Sequence, residues 1–337
     1  MSLTYSRSTK TSRIAAVFAI VLAALLIAAP FWGSTATQQL LGQMMIYIAL
    51  ASLWNLLAGY TGLVSVGQQA YVGLGVYIMV SVTIYLGIHP YFAIPLAGLA
   101  AALISMPVAK LVFRLQGAYF AIGTWVVAEV FRLIAAQLGS VGLGGGSGTS
   151  IPGPVMQALA VNKFWREASI YWLALGLGLG ALALVYGLLR SRIGLALTAI
   201  RDSEVASGSL GVNIDRIKYA VYVTAAAMTG MVGSLIALQK IRVSPNAAFS
   251  VNDYTAIVIF IVVIGGIGTI EGPIIGTIVY FFLREYFADL GAIYLMILGV
   301  IAIVMMLVAP KGIWGYVARR WQITLFPTGY VVKEEKP

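Results

Sequence analysis

The chain has 337 residues, 61% of them hydrophobic and 9% charged, with a mean hydropathy of +0.95. That composition leaves too little polar surface to cover a water-soluble globule of this length, so the chain belongs in a bilayer. Cysteine is absent and histidine occurs once, as His89, which excludes a disulfide framework, thiolate catalysis, a cysteine-ligated metal and a histidine cluster. The net charge of +10 does not point to nucleic acid, because the basic residues stand at the ends of apolar runs, where they act as a topology signal.

An N-terminal tail, 1–13, carries Arg7, Lys10 and Arg13 ahead of a first apolar run. Ala28-Ala29-Pro30 is a poor cleavage site, so this run reads as a retained span rather than a signal peptide. Runs of spanning length follow at 14–31, 40–58, 64–87, 91–112, 117–138, 169–189, 219–239, 253–270, 272–290 and 291–309. They predict an all-α polytopic integral membrane protein of about ten transmembrane helices, with its membrane domain at 14–309. If the N-terminal cluster is cytoplasmic, ten spans place 15 Lys and Arg inside and five outside, with Arg132 within a span. The tails 1–13 and 310–337 and the loop 190–218 are then cytoplasmic, and the loop 139–168 is external. Blocks 40–114 and 219–309 are offset by five spans, an odd number, and so enter from opposite sides, as an inverted repeat requires.

The stretch Trp54 to Tyr77 combines glycines at 59, 62, 67, 73 and 75 with the polar groups of Asn55, Ser65, Gln68 and Gln69. Irregular backbone in a membrane lines a cavity or is buried in protein, and small residues also permit close helix packing. Both readings stand for this segment. On the first, Gln68, Gln69, Tyr71, Tyr119 and Thr124 are candidate linings of a translocation pathway, since amide and aromatic groups suit a passing zwitterion. Glu129 and Arg132 sit three apart on one helical face as an intramembrane charge pair, with structural neutralisation, substrate contact and gating as its alternative roles. In the external loop, Gly142 to Gly148 and Ile151-Pro152-Gly153-Pro154 read as a flexible connection or an outer docking surface. The sequence contains no Gly-Lys-Ser/Thr, so the chain carries no P-loop and no bound cofactor is expected. Glu271 marks either the boundary with water or a partner contact.

Eight of the 29 residues from Arg190 to Lys218 are charged. Within this polar island, 202–211 predicts a short helix capped by Asp202 or Ser203, with Glu204 at the positive end of its dipole and Gly211 as its left-handed stop. Arg201-Asp202-Ser203-Glu204-Val205-Ala206 followed by Gly211 resembles the cytoplasmic coupling segment of ABC importer permeases. Two departures are visible: Val205 stands where alanine is common, and Gly211 lies seven residues after Glu204 rather than six.

Asn55 to Tyr77, Leu115 to Thr124 and Gly265-Gly266-Ile267-Gly268-Thr269-Ile270-Glu271-Gly272-Pro273 are similar to the signature of LivM-type branched-chain amino-acid permeases. Many members have Gly-His where this chain has Gly67-Gln68. The resemblance implies a non-enzymatic permease subunit of an ABC importer in a bacterial-type inner membrane. Its implied partners are a LivH-type permease subunit, two ATPase subunits that use the ATP, and an external substrate-binding protein. It assigns Arg201, Asp202, Ser203, Glu204 and Gly211 to ATPase coupling. A urea or short-chain amide permease is the alternative within that class. A self-sufficient channel or secondary transporter is the alternative outside it, and would need a midplane carboxylate cluster where the spans offer only Glu129.

Overall fold

The computed structural model describes residues 3–6, 10–138, 145–151, 162–240, 242–287, 290–321, 325–327 and 331–334. Of the connection expected to be external, 139–144 and 152–161 lie outside the described residues, and with them Gly142, Gly144 and Pro152-Gly153-Pro154. The chain is almost entirely helical. Its helices are α1 (Lys10–Ile27), α2 (Thr35–Thr61), α3 (Gln68–Tyr85), α4 (Pro90–Val112), α5 (Ala118–Gln137) and α6 (Lys163–Arg190). They continue with α7 (Arg192–Asp202), α8 (Glu204–Ser209), α9 (Ile214–Gln239), α10 (Ile257–Gly265), α11 (Glu271–Phe287), α12 (Ala292–Val308) and α13 (Gly312–Trp321).

Seven helices among the described residues are long and apolar enough to cross a membrane on their own; α1, α3 and α11 are not among them. The eighth expected run, 253–270, is not one regular helix: a π-helical turn at Asn252–Ala256 leads into α10, which ends at Gly265. Two short antiparallel pairs complete the fold. β1 (Leu3–Ser6) pairs with β4 (Val331–Glu334), and β2 (Thr149–Ser150) pairs with β3 (Arg242–Val243). The first brings the two ends of the chain to the same side of the bundle, and the second ties the connection after α5 to the one after α9.

The core is built on α2 and α9, the two most buried spans. Ser34 caps α2 by accepting from the Thr37 amide at 3.2 Å, and the helix stops at Gly62, whose φ is +72°. Between Gly62 and α3 the chain folds back beneath α2, where the Trp54 indole donates to the Ser65 carbonyl at 2.7 Å. At α9 the packing is backbone against backbone. A Cβ on Gly233 would run into the Val72 carbonyl, and one on Gly75 into the Gly230 carbonyl. Lipid tails are as apolar as leucine, so helix association there gains from dispersion at close approach rather than from the hydrophobic effect, and small residues provide that approach.

At the bundle edge, the last turn of α1 has carbonyls with no partner within its own helix. The Tyr171 hydroxyl donates to the Leu26 carbonyl at 2.8 Å and the Trp172 indole to the Ile27 carbonyl at 2.9 Å, so α6 satisfies them. The packing on α9 yields a direct test. Gly233→Leu forces α3 and α9 apart, a strain of about 1–3 kcal/mol or more, and should sharply reduce the monodisperse protein recovered in detergent. Gly176→Ala, at an exposed position with open space around it, should recover at the wild-type level by the same size-exclusion measurement.

Candidate functional site

One end of the bundle carries the polar island. Ser191 opens α7 by accepting from the Ile193 amide at 3.2 Å, and α7 runs to Asp202. Ser203 then caps α8, accepting from the Ala206 amide at 3.3 Å. Of the two residues expected as the cap, the structure uses Ser203, while Asp202 lies 3.5 Å from its neighbour Arg201 in an exposed ion pair. The stop is a Schellman arrangement: the Val212 amide donates to the Ser207 carbonyl at 3.1 Å and the Gly211 amide to the Gly208 carbonyl at 3.0 Å. It requires the left-handed conformation that Gly211 adopts, with φ +83°. Glu204 reaches back to Lys218 on α9, accepting two hydrogen bonds of 2.8 Å.

Two apolar side chains on this polar segment face outward. Val205 is 83% exposed and Leu210 82% exposed, although neither stands on a membrane-spanning helix. The segment is also joined to the bundle. The position a Cβ would take on Gly268 lies 3.7 Å from Arg201 Nη1, so the end of α7 rests on the tight turn between α10 and α11. That turn is clamped to α2 by Asn55, which is 1% exposed: its amide nitrogen donates to the Thr269 carbonyl and its oxygen accepts from the Gly268 amide, both at 2.7 Å. Sequence reasoning named Asn55 only as a polar group at depth; nothing in the local pattern points to a partner more than 200 residues away.

Glu271 was expected to mark either the boundary with water or a partner contact, and the structure shows it covered by this chain itself. It is 8% exposed, because the chain after α13 returns over it and the Phe326 amide donates to its carboxylate at 3.2 Å.

The candidate pathway residues are not gathered on one surface. Gln68 and Tyr71 line a small internal void with Tyr222; Gln68 donates to the Leu50 carbonyl at 2.9 Å, and the Tyr71 hydroxyl lies 3.0 Å from that of Tyr222. Gln69 accepts from Thr255 in the π-helical turn. Thr124 accepts from the Val66 amide at 3.0 Å and so fastens α5 to the chain between α2 and α3. All four are buried, whereas Tyr119 is 73% exposed on the outer face of α5.

At the opposite end of the bundle from α8 lies a feature that sequence reasoning missed. A cavity of about 580 Å³ opens among the ends of α2, α9, α11 and α12 and the π-helical turn. It is lined by Asp253, Lys240 and Arg284 together with aliphatic and tyrosine side chains. A charge at the end of an apolar run reads equally well as a topology marker, which is why Lys240 and Arg284 drew no attention. The available signal was Asp253, an acidic residue at the start of a predicted span.

Glu129 and Arg132 do form a pair. Arg132 donates Nη2 to Glu129 Oε1 at 2.5 Å and Nε to Oε2 at 2.9 Å, and its Nη1 donates to Asn246 at 2.7 Å. The pair therefore holds α5 against the turn that follows β3. Within this chain the two side chains are 44% and 27% exposed, on a helix long and apolar enough to cross a membrane. Accessible surface on a membrane-spanning helix meets apolar surroundings rather than water, so removing one partner leaves an unpaired charge there. Glu129→Gln or Arg132→Gln alone should therefore lower the thermal midpoint of the detergent-purified chain more than the double variant does. A loss above about 3 kcal/mol on removing one partner would be the signature of a buried pair.

The comparisons agree with this architecture. The family model described as "Branched-chain amino acid transport system / permease component" matches residues 36–309, from the start of α2 to the end of α12. The high-affinity branched-chain amino acid transport system permease protein LivM of Escherichia coli (strain K12) is 30% identical over 318 residues, covering 88% of this chain and 74% of that protein. LivM of Salmonella typhimurium (strain LT2) is similar to the same extent. No solved structure matches the chain. An integral membrane bundle, with a family match extending over most of its length, makes this chain a member of the branched-chain amino-acid transport permease family.

Proposed function

We propose that the chain is the membrane permease subunit of an ABC importer that moves branched-chain amino acids inward across a bacterial-type inner membrane by alternating access. ATP is hydrolysed by two separate cytoplasmic ATPase subunits, one of which docks on α8. A LivH-type subunit forms the other half of the membrane domain, and an external binding protein delivers the substrate. The observation that carries this reading is α8 itself. A short helix, capped at both ends, presents Val205 and Leu210 to water from a polar loop, and α7 connects it through Arg201 to the Gly268 turn and Asn55. Movement imposed on α8 would then pass along α7 toward the Gly268 turn and α2.

In this reading α1 to α6 and α9 to α12, with α10 extended by the π-helical turn, supply ten crossings, and the termini lie in the cytoplasm with α7 and α8. The β1–β4 pair supports a shared side for the termini, and the 15-to-5 distribution of basic residues supports the orientation. The inverted repeat rests on the odd offset of the two blocks. Because the chain has no cysteine, Ser147→Cys can be labelled cleanly, and it should react with an impermeant maleimide in intact spheroplasts. Reaction only after the cytoplasmic face is opened would reverse the topology.

Coupling is tested at α8. Glu204→Arg removes the contact with Lys218 and inverts charge at the helix N-terminus, whereas Gly211→Val places a β-branched residue at a left-handed φ. Both variants should insert normally and should lower the ATPase stimulation that loaded binding protein produces in the reconstituted complex, with Gly211→Val the more severe. Full stimulation and full ATPase retention in pull-downs of both variants would reduce α8 to a solvated connection.

A further inference from the structure

The cavity at the far end of the bundle contains all the groups needed to recognise a free amino acid, and they come from different elements. Lys240 ends α9, Arg284 lies in the last turn of α11, and Asp253 comes from the π-helical turn. A π-turn is a local departure from regular helix that recurs at functional sites, and here it directs Asp253 and Tyr254 into the cavity while Thr255 holds Gln69. Ile46, Ile236 and Ile257 supply aliphatic wall.

The charges are held apart and ready. Arg284 donates to the neutral Gln43 amide at 3.1 Å and Lys240 to the neutral Tyr254 hydroxyl at 3.1 Å. Neither cation forms an ion pair with Asp253. Tyr47 lines the same cavity as Asp253 and Arg284. Two cations facing one anion, each resting on neutral partners, leave an electrostatic pattern that a zwitterion completes. The volume is within the range of small-ligand sites.

We propose that this cavity is a transit site for the amino-acid substrate: Arg284 and Lys240 receive its α-carboxylate, Asp253 receives its α-ammonium, and Ile46, Ile236 and Ile257 contact its aliphatic side chain. The guanidinium plane suits bidentate capture of a carboxylate, and Lys240 adds a point charge. Tyrosine faces and hydroxyls around Asp253 suit an ammonium. The proposal rests on the permease reading above, which it deepens by giving the substrate a place on this chain.

The test uses the cysteine-free chain in membranes of cells that express the whole transporter, with Leu295→Cys as reporter on the rim of the cavity and Gln239→Cys as a second reporter should the first fail to fold. The rate of maleimide labelling is measured against increasing L-leucine, 4-methylpentanoate (leucine without its ammonium) and isopentylamine (leucine without its carboxylate). Leucine should slow labelling, and neither analogue should match it. Arg284→Gln and Asp253→Asn should each raise the leucine concentration for half-protection by about tenfold or more, equivalent to ~1.4 kcal/mol.

Radiolabelled leucine uptake by the same reporter strains separates the two levels of the argument. Uptake with unprotected labelling overturns the cavity site and leaves the permease reading standing. Protection by either analogue equal to that by leucine overturns zwitterion recognition. Reporters that never label show a cavity sealed by other subunits and also overturn the site. Absence of leucine uptake removes the permease reading and this proposal with it.

Discussion

Two hydrogen bonds made by one buried amide hold the α8 end of this protein together. Asn55 donates to the Thr269 carbonyl and accepts from the Gly268 amide, closing the turn between α10 and α11 against the C-terminal part of α2. Without those bonds, a backbone donor and a backbone acceptor of the turn would need other partners at a depth where lipid offers none. The same turn receives Arg201 on one side and continues into Glu271, which the returning C-terminal segment covers. One turn therefore meets α2 through Asn55, the end of α7 through Arg201 and, at Glu271, the chain beyond α13.

Much of this architecture is legible in the sequence because hydrocarbon imposes strong rules. Spans must be long and apolar, and their charges must lie at the ends, so the positions of α2, α4, α5, α6 and α9 follow from composition alone. The local helix at α8 was equally legible: Ser203 and Gly211 are capping residues whose chemistry acts within a few positions. What stayed hidden depends on distance along the chain. Asn55 and Thr269 are 214 residues apart, and Gln43 and Arg284 are 241 apart; no window of sequence contains either pair. The break at Asn252–Ala256 was hidden for another reason, because a π-turn has no strong compositional mark.

The polar residues of the 54–77 stretch show why two readings had to remain open from sequence. Trp54, Asn55, Gln68 and Thr124 all satisfy backbone groups in irregular segments or helix interiors, which is the behaviour of packing elements. Gln69 faces the π-helical turn through Thr255 and so stands behind the wall of the large cavity rather than within it. Tyr119 belongs to neither group and projects from the bundle, on a helix whose outward face carries Ile122, Trp125 and Val126 as well.

The attachment of α1 has a consequence for stability. This helix touches the bundle along a narrow line, and the side-chain hydrogen bonds that reach it meet only its last two carbonyls. The family match begins at residue 36, just beyond it. A helix so peripheral adds little to the packed core, which is built on α2 and α9. In this chain the first described helix is thus largely separate from the segments that hold the finished bundle together.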